Sequence, residues 1–216
     1  MGEKESSWLF NLIAPVYGLF YHKQKKHYAA IVERVKEQMD LSLFETIIDV
    51  GCGTGALCSV LNDRGMTVTG IDPAKKMLAI GMSKSENKDI RFLQGNVMKG
   101  LSFGDNSFDL AISSYVAHGL EANERKRLYA EMSRVARKYV IIHDYNKKRS
   151  FFTSLIEWLE GGDYFHFIKH AEMEMKDCLA EMSACFSEVS VVQVDVMANW
   201  YICKPMDYRD SENHLI

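Results

Sequence analysis

The chain has 216 residues, 47% of them hydrophobic, enough for one domain with a sizeable core. Its formal net charge of -3 excludes a global attraction to nucleic acid or to an anionic membrane. Five cysteines without C-x-x-C spacing fit neither a disulfide framework nor a zinc site, so no metal is expected.

The charged start, Met1-Gly2-Glu3-Lys4-Glu5, lacks the apolar core of a signal peptide, and no apolar run reaches spanning length. A reduced, cytoplasmic protein with no membrane span is the expectation. Residues 1–25 hold Trp8, Phe10, Leu12, Ile13, Val16, Tyr17, Leu19, Phe20 and Tyr21. They read as helix, broken near Pro15 and packed on the domain. Residues 26–40 read as an amphipathic helix, with Tyr28, Ile31, Val32, Val35 and Met39 on one side. The runs Lys23-Gln24-Lys25-Lys26 and Lys147-Lys148-Arg149 read as solvated faces.

Strands and helices then alternate. Strands are expected at Thr46–Val50, Val68–Ile71, Ile90–Gln94, Phe108–Ser113 and Tyr139–His143. Helices are expected at Ala56–Arg64, Pro73–Ser83 and Glu121–Arg137. Alternation of this kind predicts an α/β fold with a parallel sheet and helices on both faces. After a helix around Met173–Cys185, the β-rich runs Val189–Val196 and Trp200–Cys203 are too close for a crossover helix. They must pair as an antiparallel hairpin.

The most informative stretch is Ile47-Ile48-Asp49-Val50-Gly51-Cys52-Gly53-Thr54-Gly55-Ala56. An apolar strand runs into alternating glycines and then a helix. Glycine there permits unusual backbone angles and close approach of a ligand. Strand, turn and helix together read as a nucleotide or adenosyl-cofactor site in an open α/β sheet. A carboxylate at Asp49, beside the loop, repels a pyrophosphate and suits a cationic ligand. S-adenosylmethionine carries both an ammonium and a sulfonium. Asp72, about 20 residues past the loop, stands where a carboxylate takes ribose hydroxyls. Cys52 reads as a small loop residue. Ser113, Ser114 and His118 follow the fourth strand, at the edge where ligands bind in such sheets.

Four pieces in order, DVGCGTG (49–55), GIDPAKKML (70–78), QGNV (94–97) and FDLAISSYVAHGL (108–120), resemble the class I S-adenosylmethionine-dependent methyltransferases. Within them, the chain is similar to the small-molecule branch near the ubiquinone/menaquinone methyltransferases. The lead-in LFNLIAPVYGLF (9–20) and the later HDYNKKR (143–149) and EWLEGGDYFHF (157–167) look like that branch too. The resemblance covers about residues 8–203. It implies a Rossmann-like, seven-stranded, mostly parallel sheet ending in an antiparallel hairpin. The chain is then a single methyltransferase domain, 1–216, whose helical segments 1–40 and 146–186 contribute to an acceptor pocket.

The implied cofactor residues are Asp49, Gly51, Cys52, Gly53, Gly55, Asp72, Pro73, Met77, Asn96, Val97, Ser113 and His118. Asp49 would meet the methionine ammonium, Asp72 the ribose, Pro73 and Met77 the adenine faces, and Asn96-Val97 the adenine edge. The family more often has aspartate where this chain has Asn96. The implied reaction is an in-line displacement, which needs alignment and exclusion of water more than a particular side chain. A base is required where the acceptor holds its proton, and His118, His143, Tyr17, Tyr145 and His166 are the candidates. The expected partner is a small-molecule acceptor, apolar or aromatic, rather than nucleic acid. The glycines also satisfy a looser dinucleotide pattern, so an NAD(P)-dependent oxidoreductase is the first alternative. A non-catalytic cofactor-binding regulator is the second. Acceptor identity and oligomeric state are not legible.

Overall fold

Runs rich in Val, Ile and Thr form the centre of one sheet, as their preference for a pleated, buried surface dictates. The computed structural model describes residues 3–146 and 178–206. Its strands are β1 (Thr46–Val50), β2 (Thr67–Asp72), β3 (Arg91–Gln94), β4 (Phe108–Ser114), β5 (Ala136–Tyr145), β6 (Phe186–Gln193) and β7 (Ala198–Pro205). They form a seven-stranded sheet in the order β3-β2-β1-β4-β5-β7-β6. Strands β1 to β5 are parallel, and β7 inserts antiparallel between β5 and β6. The expected terminal hairpin is therefore present. Its return strand, not its first, joins the parallel sheet.

Among the described residues, α1 (Glu3–Arg34), α2 (Ala56–Asn62), α3 (Lys75–Met82) and α4 (Ala122–Val135) flank the sheet. The two-residue period of the strands divides the core. Ile47, Leu110, Ile112 and Ile141 face one layer with Ile31, Leu57, Leu61 and Leu78 from α1, α2 and α3. Ile48, Ala111, Val140 and Ile142 face the other, with Leu128, Tyr129 and Met132 of α4 and with Met182. Met182 lies in the helical residues 178–183. The greater part of the expected cap, 147–177, lies outside the described residues, as does His166.

Several expected boundaries differ, two of them with a plain physical cause; β5 (Ala136–Tyr145) also takes in residues expected at the end of the helix Glu121–Arg137. The break at Pro15 is absent, and α1 runs continuously from Glu3 to Arg34 with the proline inside it. Pro15 is exposed, so its ring and missing N–H fall on the solvent side. Ala14, one residue back, is fully buried against Ala74 and Met77, and burial of that inner face carries the helix through. Likewise α3 starts at Lys75 rather than at Pro73. The Asp72 carboxylate accepts from the Ala74 N–H at 2.7 Å, which turns the chain before the helix begins.

At the amino edge of the sheet, buried Asp109 accepts from the N–H groups of Glu45 and Thr46 at 3.0 and 3.2 Å, and pairs with Arg137 at 2.7 Å. Arg137 holds its carboxyl well below the usual carboxylate range. The group therefore contributes stability above that range, and the contribution fades as pH falls through it. Asp109→Ala leaves two backbone donors unmet and is expected to cost about 1–3 kcal/mol at neutral pH. In thermal or urea unfolding, the gap from the parent should narrow below about pH 4.

Candidate cofactor and acceptor site

The loop after β1 is tied to β2, because the N–H groups of Gly51 and Cys52 both donate to the Ile71 carbonyl, at 2.8 and 3.0 Å. Gly51, Gly53 and Gly55 all have positive φ, at 80°, 53° and 75°. Their surroundings differ. A Cβ at Gly51 would meet Val116 Cγ2 at 2.4 Å, and one at Gly55 would meet Phe92 Cζ at 2.6 Å. A Cβ at Gly53 would meet nothing within 4 Å. Two glycines thus serve close packing, and the middle one leaves an open cradle.

Two acids lie beneath this cradle. Asp49 is 1% exposed, and its Oδ2 accepts from the Cys58 thiol at 3.2 Å. Its Oδ1 is buried without a hydrogen-bond partner among the described residues. Burial pushes the Asp49 carboxyl up to about 7, with the negative charge of Asp72 adding to the effect. Asp72 is also buried, but both of its oxygens are used: Oδ2 accepts from Gly53 N–H at 2.8 Å and Oδ1 from Ala74 N–H. Burial pushes its carboxyl up to about 6 against those bonds. A carboxylate has about four lone-pair sites, so roughly two remain on Asp72 for a diol. The pair fits an adenosyl cofactor with a cationic amino-acid end: one buried oxygen lacks a donor, and an open cradle lies above it.

The other expected cofactor residues divide. Cys52 is buried, and both its sulfur and that of Cys58 crowd the face of Gly70, so it acts as a packing residue of the loop. Pro73 is half-buried at the mouth of β2. Met77 packs with Ala14 and Ala74 under α1. Val97 is buried beside Ile71 in the α4-side core. Asn96 Oδ1 accepts from Met98 N–H at 2.9 Å, a capping bond of the turn. Ser113 Oγ donates to the Val50 carbonyl at 2.8 Å and ties β4 to β1.

The ends of β4 and β5 carry two polar groups on opposite faces. On the α4 side, Asp144 Oδ1 lies 2.9 Å from His118 Nδ1, while Oδ2 accepts from the His118 N–H at 3.0 Å. Burial pushes the Asp144 carboxyl up. His118 and the N–H groups of His118 and Tyr145 outweigh that and hold it below its ordinary value. Tyr129, Ile142, Tyr145 and Met182 line a recess beside this pair. On the α1 side, His143 Nδ1 meets Ser114 Oγ at 2.9 Å, and Tyr28 OH meets the same oxygen at 3.0 Å. Burial lowers His143 to about 4, so it is neutral at physiological pH. Tyr17 packs near Ala14 and Met77, away from both groups. Tyr115 joins the faces: its φ is +56°, and its ring packs at a tilt against both His143 and Tyr145. A non-glycine residue held there marks stored strain at the ligand edge.

Asp144, Cys58 and Tyr28 were not singled out by sequence reasoning. For Asp144 a signal existed, since it lies near the carboxyl end of a strand, where sites form in open α/β sheets. For Cys58 and Tyr28 the partner is known only once the chain has folded.

Residues 48–142 match the methyltransferase domain family. An uncharacterized methyltransferase of Bacillus cytotoxicus is 29% identical over 138 residues, 62% of this chain and 63% of its own length. One from Bacillus mycoides is 31% identical over 142 residues, with the same coverage. The matched region thus spans less than two thirds of these curated relatives. A putative S-adenosyl-L-methionine-dependent methyltransferase of Methanococcus maripaludis superposes with a TM-score of 0.66 at 20% identity, covering 91% of this chain and 94% of its own. A possible histamine N-methyltransferase of Thermotoga maritima gives 0.62 at 16%, covering 91% and 98%. The fold is that of the class I S-adenosylmethionine-dependent methyltransferases. Residues 48–142 thus carry the match to the methyltransferase domain, and the fold is one shared with S-adenosylmethionine-dependent neighbours.

A cationic amine requires ionised Asp49, so affinity for S-adenosylhomocysteine should fall about tenfold per pH unit below about 7. Calorimetry in buffers of different ionisation enthalpy should show proton release on binding. Raised carboxyl pKa values favour the fold at low pH and withdraw that support as pH rises through them. Asp49→Asn should therefore raise the unfolding temperature of the cofactor-free protein more at about pH 8 than at about pH 5, while binding is lost. Separately, Gly53→Val fills the cradle at a left-handed φ. It is expected to reduce S-adenosylhomocysteine affinity by more than about 1.4 kcal/mol, tenfold, with the circular dichroism spectrum retained.

Proposed function

We propose that this protein transfers a methyl group from S-adenosylmethionine to a small-molecule acceptor. The observation that carries the reading is Asp49 Oδ1, a buried carboxylate oxygen with no hydrogen-bond partner among the described residues, at the mouth of β1 beneath the glycine loop. A cationic amino group is the partner it lacks, and a diphosphate is the ligand it would repel. In this reading Asp49 and Asp72 anchor the two ends of the cofactor's nucleoside and amino-acid portion, Gly53 lets it lie close to the main chain, and Pro73 with the Asn96-Val97 turn borders the base. When bound, S-adenosylmethionine supplies an electrophilic methyl group on a sulfonium.

The remaining work falls to the β4 and β5 ends. Asp144 holds His118 by its ring nitrogen and by its backbone N–H, which fixes the imidazole's orientation. His118 is then the proton acceptor for an acceptor molecule that carries its proton at neutral pH. His143 is unsuited to that task, being buried and already bonded to Ser114. The recess beside His118 holds about 20 Å³, water-sized rather than acceptor-sized, so only the character of its lining, Tyr129, Ile142, Tyr145 and Met182, supports an apolar or aromatic acceptor.

Calorimetry with S-adenosylhomocysteine and with NADH tests the cofactor: heat with the first and none with the second is expected, and the reverse would replace methyl transfer by hydride transfer. With an acceptor found by screening, His118→Ala should lower kcat by about 10²–10⁴-fold and leave S-adenosylhomocysteine affinity unchanged. Asp144→Asn should shift the pH-rate profile.

A further inference from the structure

The outer face of α1 carries a run of exposed apolar side chains. Trp8, Leu12, Val16, Leu19 and Phe20 are 64%, 58%, 49%, 83% and 46% exposed. Their spacing over three turns puts them along one face of the helix. The inner face is already occupied, with Phe10, Ile13, Ala14 and Tyr17 packed on Ala74, Met77 and Ile80. Large apolar side chains aligned in this way mark a contact surface.

Charge surrounds the stripe. Lys23 and Lys26 continue the same face toward the C-terminus and are exposed, whereas Lys25 turns away to Asp63 at 2.9 Å. Lys75 and Lys76 are exposed at the start of α3. They flank the stripe's N-terminal half, since Asn11 Oδ1 accepts from the Lys76 N–H at 2.8 Å. Four lysines thus rim an apolar strip on a chain whose net charge is -3. The complement of this pattern is an apolar layer beneath a negatively charged layer.

We infer that the outer face of α1 docks this protein on an anionic lipid bilayer. Trp8, Leu12, Val16 and Leu19 enter the boundary between headgroups and acyl chains, and Lys23, Lys26, Lys75 and Lys76 lie against the headgroups. The helix lies in the surface plane. Among the described residues, no helix is long and apolar enough to cross a membrane. The inference is independent of methyl transfer, because vesicle binding is read without cofactor or acceptor.

The test is sedimentation of the full chain with phosphatidylcholine vesicles, with and without phosphatidylglycerol. Binding should be about tenfold or more tighter to the anionic vesicles and should weaken with added salt. Leu19→Glu and the double variant Lys23→Glu, Lys26→Glu should each remove most of it, with circular dichroism and unfolding temperature unchanged, since all three side chains are exposed. Equal binding to both vesicle types, or binding to neither, overturns the inference. So does a dimer in analytical ultracentrifugation that Leu19→Glu splits without any vesicle binding, which would make a second copy the occupant.

Discussion

A buried negative charge under a glycine turn is the constraint on which the site depends. Asp49 lies near the end of a central strand whose α1-side face is covered by α1, α2 and α3, and it is buried there. Among the described residues its one donor is a thiol, a weak one. Asp72, close enough to raise it further, is stabilised by two N–H groups, one of which is that of Gly53 itself. The loop thus satisfies one acid by its own backbone and leaves the other short of a donor. A ligand that completes such a group offsets the cost of burying it, and breaks of local rules of this kind are expected at functional sites.

The same two-residue alternation that builds the core sorts the chemistry at the end of β5. His143 and Asp144 are adjacent in sequence and therefore point to opposite layers. His143 falls among Tyr28, Ser114 and Trp200 on the α1 side, where burial keeps it neutral. Asp144 falls beside His118 on the α4 side, where it remains ionised and orients the ring. Two neighbouring polar residues meet opposite surroundings from strand geometry alone. Tyr115, forced into a left-handed φ, spans the boundary between them.

What the sequence made legible follows the range of the interactions concerned. The turn between β1 and α2 and the parallel pairing of β1 to β5 were readable because strand, turn and helix signals act over a few residues. The pairing of His118 with Asp144 was not, because 26 residues and a whole helix separate them, and neither was the Tyr28–Ser114 bond across 86. Position was read more accurately than direction. Ser113 stands at the ligand edge as expected, yet its hydroxyl is spent on the Val50 carbonyl. Asn96 lies in its turn but caps it. An edge position is fixed by strand length, whereas a side chain's aim depends on the neighbours it meets after folding.

Pro15 shows how tertiary burial overrides local propensity, and what depends on that. A helix interior proline costs about 3 kcal/mol in isolation. Here the inner face of α1 buries Ala14 and half-buries Phe10, Ile13 and Tyr17 on both sides of it, and each buried apolar group offsets a share of that cost. The helix therefore stays continuous from Trp8 to Lys26, about 27 Å at the α-helical rise. A kink at residue 15 would have rotated Trp8 and Leu12 away from Val16, Leu19 and the lysines beyond. Continuity is what turns scattered apolar residues and a basic run, each unremarkable as sequence, into a single surface with one orientation relative to the cofactor edge.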